Sequence, residues 1–292
     1  MSTLAVITPS YAPDAGLFAE LHRSVLEFTP DDTVHHVIVP RADRAAFAAY
    51  EGPRCRVLTE PEVVPRHYVR LPRGLWGNLR RPWPPVRGWV IQQAIKIAVA
   101  GSVEADVVLI ADSDIVLVRP TTAARFTTDG ELRLHRVNDG VHAAMPRHLR
   151  WHQVARELLG LPLAPEPPLH DYVTSLNFWD PVIVRAMQQR ITQSTGRPWF
   201  DAFTARLHVS EFILYGVFVD EVLATHPPSD TTICHNSWDD VPMDRETALA
   251  FADGLGPEAI GMMISAKSKT PPDARQAALE RCSEIVQRQE AG

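Results

Sequence analysis

The stretch VVLIADSDIVLVRP, Val107 to Pro120, decides the fold. Val107 to Ala111 is an unbroken apolar run of the kind found in strands buried on both faces, and such strands belong to parallel sheets covered by helices. Asp112 then emerges at the carboxyl end of the strand, the edge where open α/β sheets bind ligands. Ser113 separates it from Asp114, and residues two apart in an extended segment project on one side. Two carboxylates so placed repel each other. A hard, oxygen-preferring cation, Mg²⁺ or Mn²⁺, would cancel that repulsion and leave coordination positions for phosphate oxygens.

Working outward, strands and helices alternate. Leu4 to Ile7 reads as a strand entering the turn cluster Thr8-Pro9-Ser10-Tyr11, and Leu17, Leu21, Val25 and Leu26 mark the helix that follows. Val34 to Val39 and Arg56 to Leu58 are further strands, with a helix across Ala42 to Tyr50 between them. Residues 61–87 break the pattern with prolines, glycines and the arginines Arg66, Arg70, Arg73, Arg80, Arg81 and Arg87, and are expected to form a long loop. Gly88 to Ala100 resumes as a helix whose polar stripe, Trp89, Gln92, Gln93 and Lys96, directly precedes the acidic strand. Helices are expected at Pro146 to Leu159, Pro181 to Gln189, Ser210 to Leu223, near Arg245 to Ala252 and from Asp273, with Ser210 as an N-cap. Strands are expected at Tyr172 to Phe178, Thr231 to Cys234 and Ile260 to Ser265. The chain, 1–292, thus reads as one α/β domain with a mostly parallel sheet and loop insertions.

Composition bounds the function. The 292 residues carry 29 basic against 35 acidic side chains, a formal charge of -6 that argues against a general nucleic-acid partner. No apolar stretch approaches the roughly 20 residues of a membrane span, and the amino terminus lacks a basic leader, so a cytoplasmic protein is expected. Cys55, Cys234 and Cys282 are far apart and odd in number, which reads as reduced, buried thiols. Lysines are so few, Lys96, Lys267 and Lys269, that each can be weighed singly.

Three readings of the triplet compete. Its carboxylates can simply cap a turn. DSDIVL also fits the D-x-D-x-V-L of haloacid-dehalogenase-type phosphatases, with Asp112 as nucleophile. That mechanism normally requires a later basic residue and then an acidic pair, whereas here Asp239 and Asp240 precede Lys267. In the third reading, VLIADSDIVLVRP resembles the metal-binding D-x-D of GT-A glycosyltransferases in both its apolar strand and its trailing Arg-Pro. LAVITPSY is similar to that superfamily's first strand and nucleotide-contacting loop, and GWVIQQAIKI and SEFILYG resemble a little-characterised bacterial group within it.

This resemblance, which spans most of Leu4 to Lys267, implies a GT-A, Rossmann-like fold. It also implies transfer of a sugar from a nucleoside-diphosphate sugar to a small-molecule or glycan acceptor, with Mn²⁺ or Mg²⁺ as cofactor. A relative that binds the sugar nucleotide without turnover is the non-enzymatic alternative. Asp112, Ser113 and Asp114 would meet metal and diphosphate, and His235 in CHNSW is the candidate third metal ligand, with His142, His148 and His152 a rival cluster. Thr8, Pro9, Ser10 and Tyr11 would contact the nucleoside, Gln93 and Lys96 the donor, and Lys267 the diphosphate, with Lys269 its close competitor. Glu211 and Tyr215, one helical turn apart, fall where related enzymes put an acid near the reacting sugar. Glu211 would be general base, hydroxyl ligand or charge stabiliser, or else it complements the helix dipole. Asp171 is the second candidate acid, toward the acceptor, or a turn residue. Base, sugar, acceptor, stereochemistry and oligomeric state are left open.

Overall fold

The apolar runs that begin at Leu4 and Val107 become neighbouring parallel strands, paired Val6 with Leu109 and Ile7 with Ile110. The computed structural model describes residues 2–291. Its first half runs β1 (Leu4–Pro9), α1 (Ala15–Phe28), β2 (Val34–Val39), α2 (Arg44–Phe47), β3 (Cys55–Thr59), α3 (Glu60–Val63), β4 (Tyr68–Arg70), β5 (Leu75–Asn78), β6 (Arg81–Arg87), α4 (Gly88–Ala100), β7 (Val107–Ala111) and β8 (Ile115–Leu117). The later helices are α5 (Pro146–Leu159), α6 (Pro181–Thr195), α7 (Trp199–Thr204), α8 (Glu211–Val217), α9 (Arg245–Asp253) and α10 (Pro272–Ala291).

The central sheet has the order Leu176–Trp179, β7, β1, β2, β3, antiparallel at the first pairing and parallel at the others. Every residue of β1 and β7 is buried, as strands covered on both faces must be. Ala5, Ile7, Val108 and Ile110 pack in one core with Val90, Ile91 and Ala94 of α4. Val6, Leu109 and Ala111 pack in the other with Leu21 and Val25 of α1 and with Ile115 of β8. The class is therefore α/β, a mostly parallel sheet flanked by helices, as the alternation of elements implies.

β8 belongs to a second, smaller sheet with Gly261–Ile264 and Cys234–Ser237, backed by α9 and α10. The acidic triplet is thus the joint between two sheets. Arg275 of α10 braces it from below, donating to the Asp114 carbonyl at 2.8 Å, the Ile264 carbonyl at 3.1 Å and Glu20 of α1 at 2.7 Å.

Residues 61–87 are not the expected loop. After the single turn α3, β4, β5 and β6 form an antiparallel sheet, with the proline-rich RPWPPVR on its edge, where a missing N–H costs no ladder bond. Asp201 of α7 pins this hairpin, accepting from His67 Nε2 and the Tyr68 hydroxyl, each at 2.8 Å. Gly88 closes the join to α4, since a Cβ there would lie 2.5 Å from the Gly74 carbonyl oxygen.

Candidate site at the carboxyl rim

Asp112-Ser113-Asp114 is a turn, closed by the Ile115 N–H donating to the Asp112 carbonyl at 3.2 Å. The expectation that both carboxylates project from one extended segment is corrected accordingly: the chain reverses to enter β8, and the two side chains find different partners. Asp112 faces α4, where Lys96 Nζ lies 2.8 Å from its Oδ1. Asp114 faces the segment after Gly261–Ile264, its Oδ2 accepting from the Ala266 N–H at 2.9 Å.

Lys96 does not meet solvent from a polar stripe, because it is only 5 % exposed. Its ammonium also reaches Glu211 Oε1 at 3.3 Å, so one cation joins α4, β7 and α8. Gln93, one turn earlier and equally buried, accepts from the Glu211 backbone N–H at 3.0 Å and donates to the Trp89 carbonyl at 3.3 Å. Helix α8 begins there because the Ser210 hydroxyl accepts from the Ile213 N–H, the expected N-cap. The α-helix ends at Val217 and continues as a π turn over Phe218–Leu223, where a continuous helix was expected. Asp112 Oδ1 is buried and makes no well-aligned hydrogen bond, so its contact with Lys96 is an ion pair by distance alone. The Asp112 side chain is nevertheless 46 % exposed, which places its other oxygen on the open side.

The charges do not balance. Burial opposes the Lys96 charge, but the carboxylates of Asp112 and Glu211 overcome it and raise the lysine above its ordinary range. Burial raises Glu211, which Lys96 only partly offsets. Asp114 is raised by burial and then by Asp112. Asp14, in the loop after β1, is raised by burial and then by Asp114 and Asp112. Asp14 is therefore a further acid of this rim. It stood legible in SYAPDAG but carried no motif.

The first loop reaches the rim unevenly. The Ser113 hydroxyl donates to Ser10 Oγ at 2.9 Å, and the Ser10 N–H donates to the Ile38 carbonyl at 2.9 Å, tying this loop to the triplet. Tyr11, after Pro9 at the strand end, is 47 % exposed. Thr8 is fully buried, with its hydroxyl 2.9 Å from His35 Nε2, so its side chain lies beneath the rim. Lys267 is exposed on the turn whose Ala266 N–H holds Asp114.

Other expected residues lie elsewhere. His235 stacks on Phe251 and puts its Nε2 2.6 Å from the Phe251 carbonyl, on the α9 side of the small sheet. Tyr215 is buried against Trp179, its hydroxyl accepting from the Asp180 N–H at 3.0 Å. Asp171 accepts from the Val173 N–H at 3.0 Å, closing a local turn. Among the described residues, no three His, Cys, Asp or Glu side chains cluster so as to hold a metal ion. Nor is any helix long and apolar enough to cross a membrane.

What the coordinates define is an α/β protein with a polar, charge-rich carboxyl edge. The chain belongs to a family of unknown function (DUF6492), which it matches over residues 4–244. No curated protein matches it in sequence. Among solved structures it is similar to the galactosyltransferase LgtC in complex with donor and acceptor sugar analogs, at 14 % identity over 97 % of this chain and 95 % of that one, TM-score 0.47. An active-site mutant of LgtC gives 14 %, 97 %, 95 % and 0.46 for the same quantities. Mouse xyloside xylosyltransferase 1 in its apo form gives 13 %, 92 %, 99 % and 0.46.

Proposed function

We propose that this chain is a metal-assisted glycosyltransferase that takes a sugar from a nucleoside-diphosphate sugar. One observation carries the reading: α8, 115 residues further along the chain, meets α4 and the end of β7 so that Lys96 lies within 3.3 Å of both Asp112 and Glu211 at the carboxyl rim. That edge is where α/β sheets of this kind take ligands.

The donor would lie along the rim. Asp112 marks the end of β7, Tyr11 follows β1, and a cavity of about 600 Å³ opens beyond β2 and β3, lined by Pro40, Glu60, Tyr68 and Trp76 among others. Strands are spaced about 4.8 Å apart, so the cavity begins about 10 Å from Asp112, a span suited to a nucleoside whose diphosphate reaches the triplet. Burial and then the neighbouring carboxylates, Asp112 in both cases, raise Asp14 and Asp114, so the rim holds more negative charge than Lys96 answers. A hard divalent ion would be held through the oxygens of Asp112 and Asp114 that Lys96 and the Ala266 N–H do not engage, with donor phosphate oxygens and water completing its shell. Bound there, the ion would offset charge on the departing diphosphate.

The protein's own groups divide the remaining work. Lys267 would contact the outer phosphate, and Lys96 keeps Glu211 and Asp112 apart while partly neutralising both. Burial raises the Glu211 carboxyl above its ordinary range, which makes it a stronger proton acceptor than a solvated carboxylate. In the transfer, a bond forms between the acceptor oxygen and the anomeric carbon. The bond to the diphosphate breaks with its electron pair, and Glu211 takes the acceptor proton. Calorimetry of UDP and GDP, each with and without Mn²⁺, tests the reading. The expected result is a metal-dependent tightening of about tenfold or more for one nucleotide, lost in Asp114→Asn. Equal binding with and without the ion counts against it. Phosphate release from a phosphomonoester that depends on Asp112 would establish the phosphatase chemistry instead.

A further inference from the structure

A groove of about 550 Å³ runs between the start of α4, the start of α5 and the segment leading into α8. Arg87, Trp89, Arg147, Arg150, Leu207 and His208 line it, and no acid does. Arg147 lies over two indoles at once, 5.0 Å from the Trp89 ring centre and 4.8 Å from that of Trp151. Stacking of this kind fixes the plane of a guanidinium and leaves its in-plane N–H donors free for a planar anion. Among the described residues neither Arg87 nor Arg147 makes a salt bridge. Arg150 reaches only Glu157, at 3.7 Å, and Arg206 holds the same acid more closely, at 2.8 Å. Trp89 itself is 40 % exposed and Leu207 47 %, so indole and aliphatic surface stand open beside the unanswered charge.

The groove is joined to the rim through the backbone. Gln93, which accepts from the Glu211 N–H, donates to the carbonyl of Trp89. His208 stands three residues before Glu211. Along α4, Trp89 is about 10 Å from Lys96, at the helical rise of 1.5 Å per residue. The groove shares no lining residue with the nucleoside cavity, so a molecule held in it leaves that cavity open for the donor.

We propose that this groove binds the acceptor, and that the acceptor is an anionic glycoside. Its sugar ring lies on Trp89, and its carboxylate or phosphate ester is held by Arg147 and Arg87. The inference rests on the transfer reading but concerns different residues, so the two can fail separately. Methyl glucuronide, methyl glucoside and methyl glucoside 6-phosphate are titrated into the full chain and followed by NMR line shifts of the tryptophan indoles. Both anionic glycosides should bind about tenfold more tightly than the neutral one, the scale of a charge-assisted hydrogen bond. Arg147→Ala should abolish that preference, Arg147→Lys should restore only part of it, and Trp89→Ala should weaken all three ligands. Asp114→Asn should leave glycoside binding intact while removing metal-dependent nucleotide binding, and Arg147→Ala should do the reverse.

Equal affinity for charged and neutral glycosides would overturn the proposal. So would a preference that survives Arg147→Ala, or no binding of any of them at about 20 mM, beyond the weakest useful recognition. If the carboxylate and phosphate glycosides differ, the tighter one identifies the anion. Loss of nucleotide binding in the wild type, with the glycoside preference intact, would remove the transfer reading and leave the groove standing.

Discussion

The carboxyl rim and the arginine groove lie about two helical turns apart on α4 and carry charge in opposite ways. At the rim, Lys96, Glu211 and one oxygen of Asp112 are buried, and each answers another. In the groove, Arg87 and Arg147 are exposed, and indole faces rather than carboxylates hold Arg147 in place. The difference teaches where each region's energy resides. A buried ion pair is part of the fold, because removing one member leaves the other charged in a poor solvent. An exposed, stacked guanidinium contributes little to folding and stays available to a ligand.

Acid should affect the fold beneath both regions. His36 of β2 lies within the central sheet and His152 of α5 against the His170 carbonyl, and burial lowers each from 6.5 to about 4. A depressed histidine stays neutral in the fold while the unfolded chain takes up its proton. Stability is thus complete above pH 6.5 and falls as pH drops toward 4. The expected loss is about 1.4 kcal/mol per pH unit for each histidine, read from urea unfolding across that window. A flat profile would show that both rings are already charged in the folded state.

Lys96→Met should produce the largest effect of any single substitution, destabilising the chain by about 3–5 kcal/mol in urea unfolding, because Asp112 and Glu211 lose their shared cation. The double variant Lys96→Met, Glu211→Gln should recover part of that loss. Lys96→Met within 1 kcal/mol of wild type would mean the pair is solvated and the contrast with the groove is false. Asp201→Ala should cost about 2 kcal/mol, since it strips an acceptor from His67 and Tyr68 and loosens the hairpin that supplies Arg87. Its expected sign is weaker glycoside binding at the groove and weaker nucleotide binding as well, because Tyr68 and Trp76 of the same hairpin line the nucleoside cavity. Arg147→Ala should change stability by less than about 0.5 kcal/mol. A larger loss would make that arginine a structural part of α5 rather than an open binding group.

Much of the fold was legible because it rests on local periodicity. The unbroken apolar runs of β1 and β7 and the helical stripes of α1, α4 and α5 each mark an element from a few residues of chain. The 61–87 segment misled for a related reason. Its prolines and glycines mark turns, but RPWPPVR lies on a sheet edge where prolines are tolerated, and the hairpin is stabilised by Asp201, more than 100 residues away. His235 shows the same limit, because nothing local reveals that its ring stacks on Phe251 of α9.

From its residues alone, the chain determines that a buried parallel strand ends in Asp112-Ser113-Asp114 and that a helix bearing Gln93 and Lys96 comes just before it. Only tertiary structure decided that the triplet turns, that Lys96 is buried between Asp112 and Glu211, that Asp14 adds to the rim, and that Arg275 braces it from the last helix. The physical reason is range. Backbone geometry and side-chain alternation act over a few residues and are written in the local pattern, whereas burial and charge pairing depend on elements that meet only after the whole chain has packed.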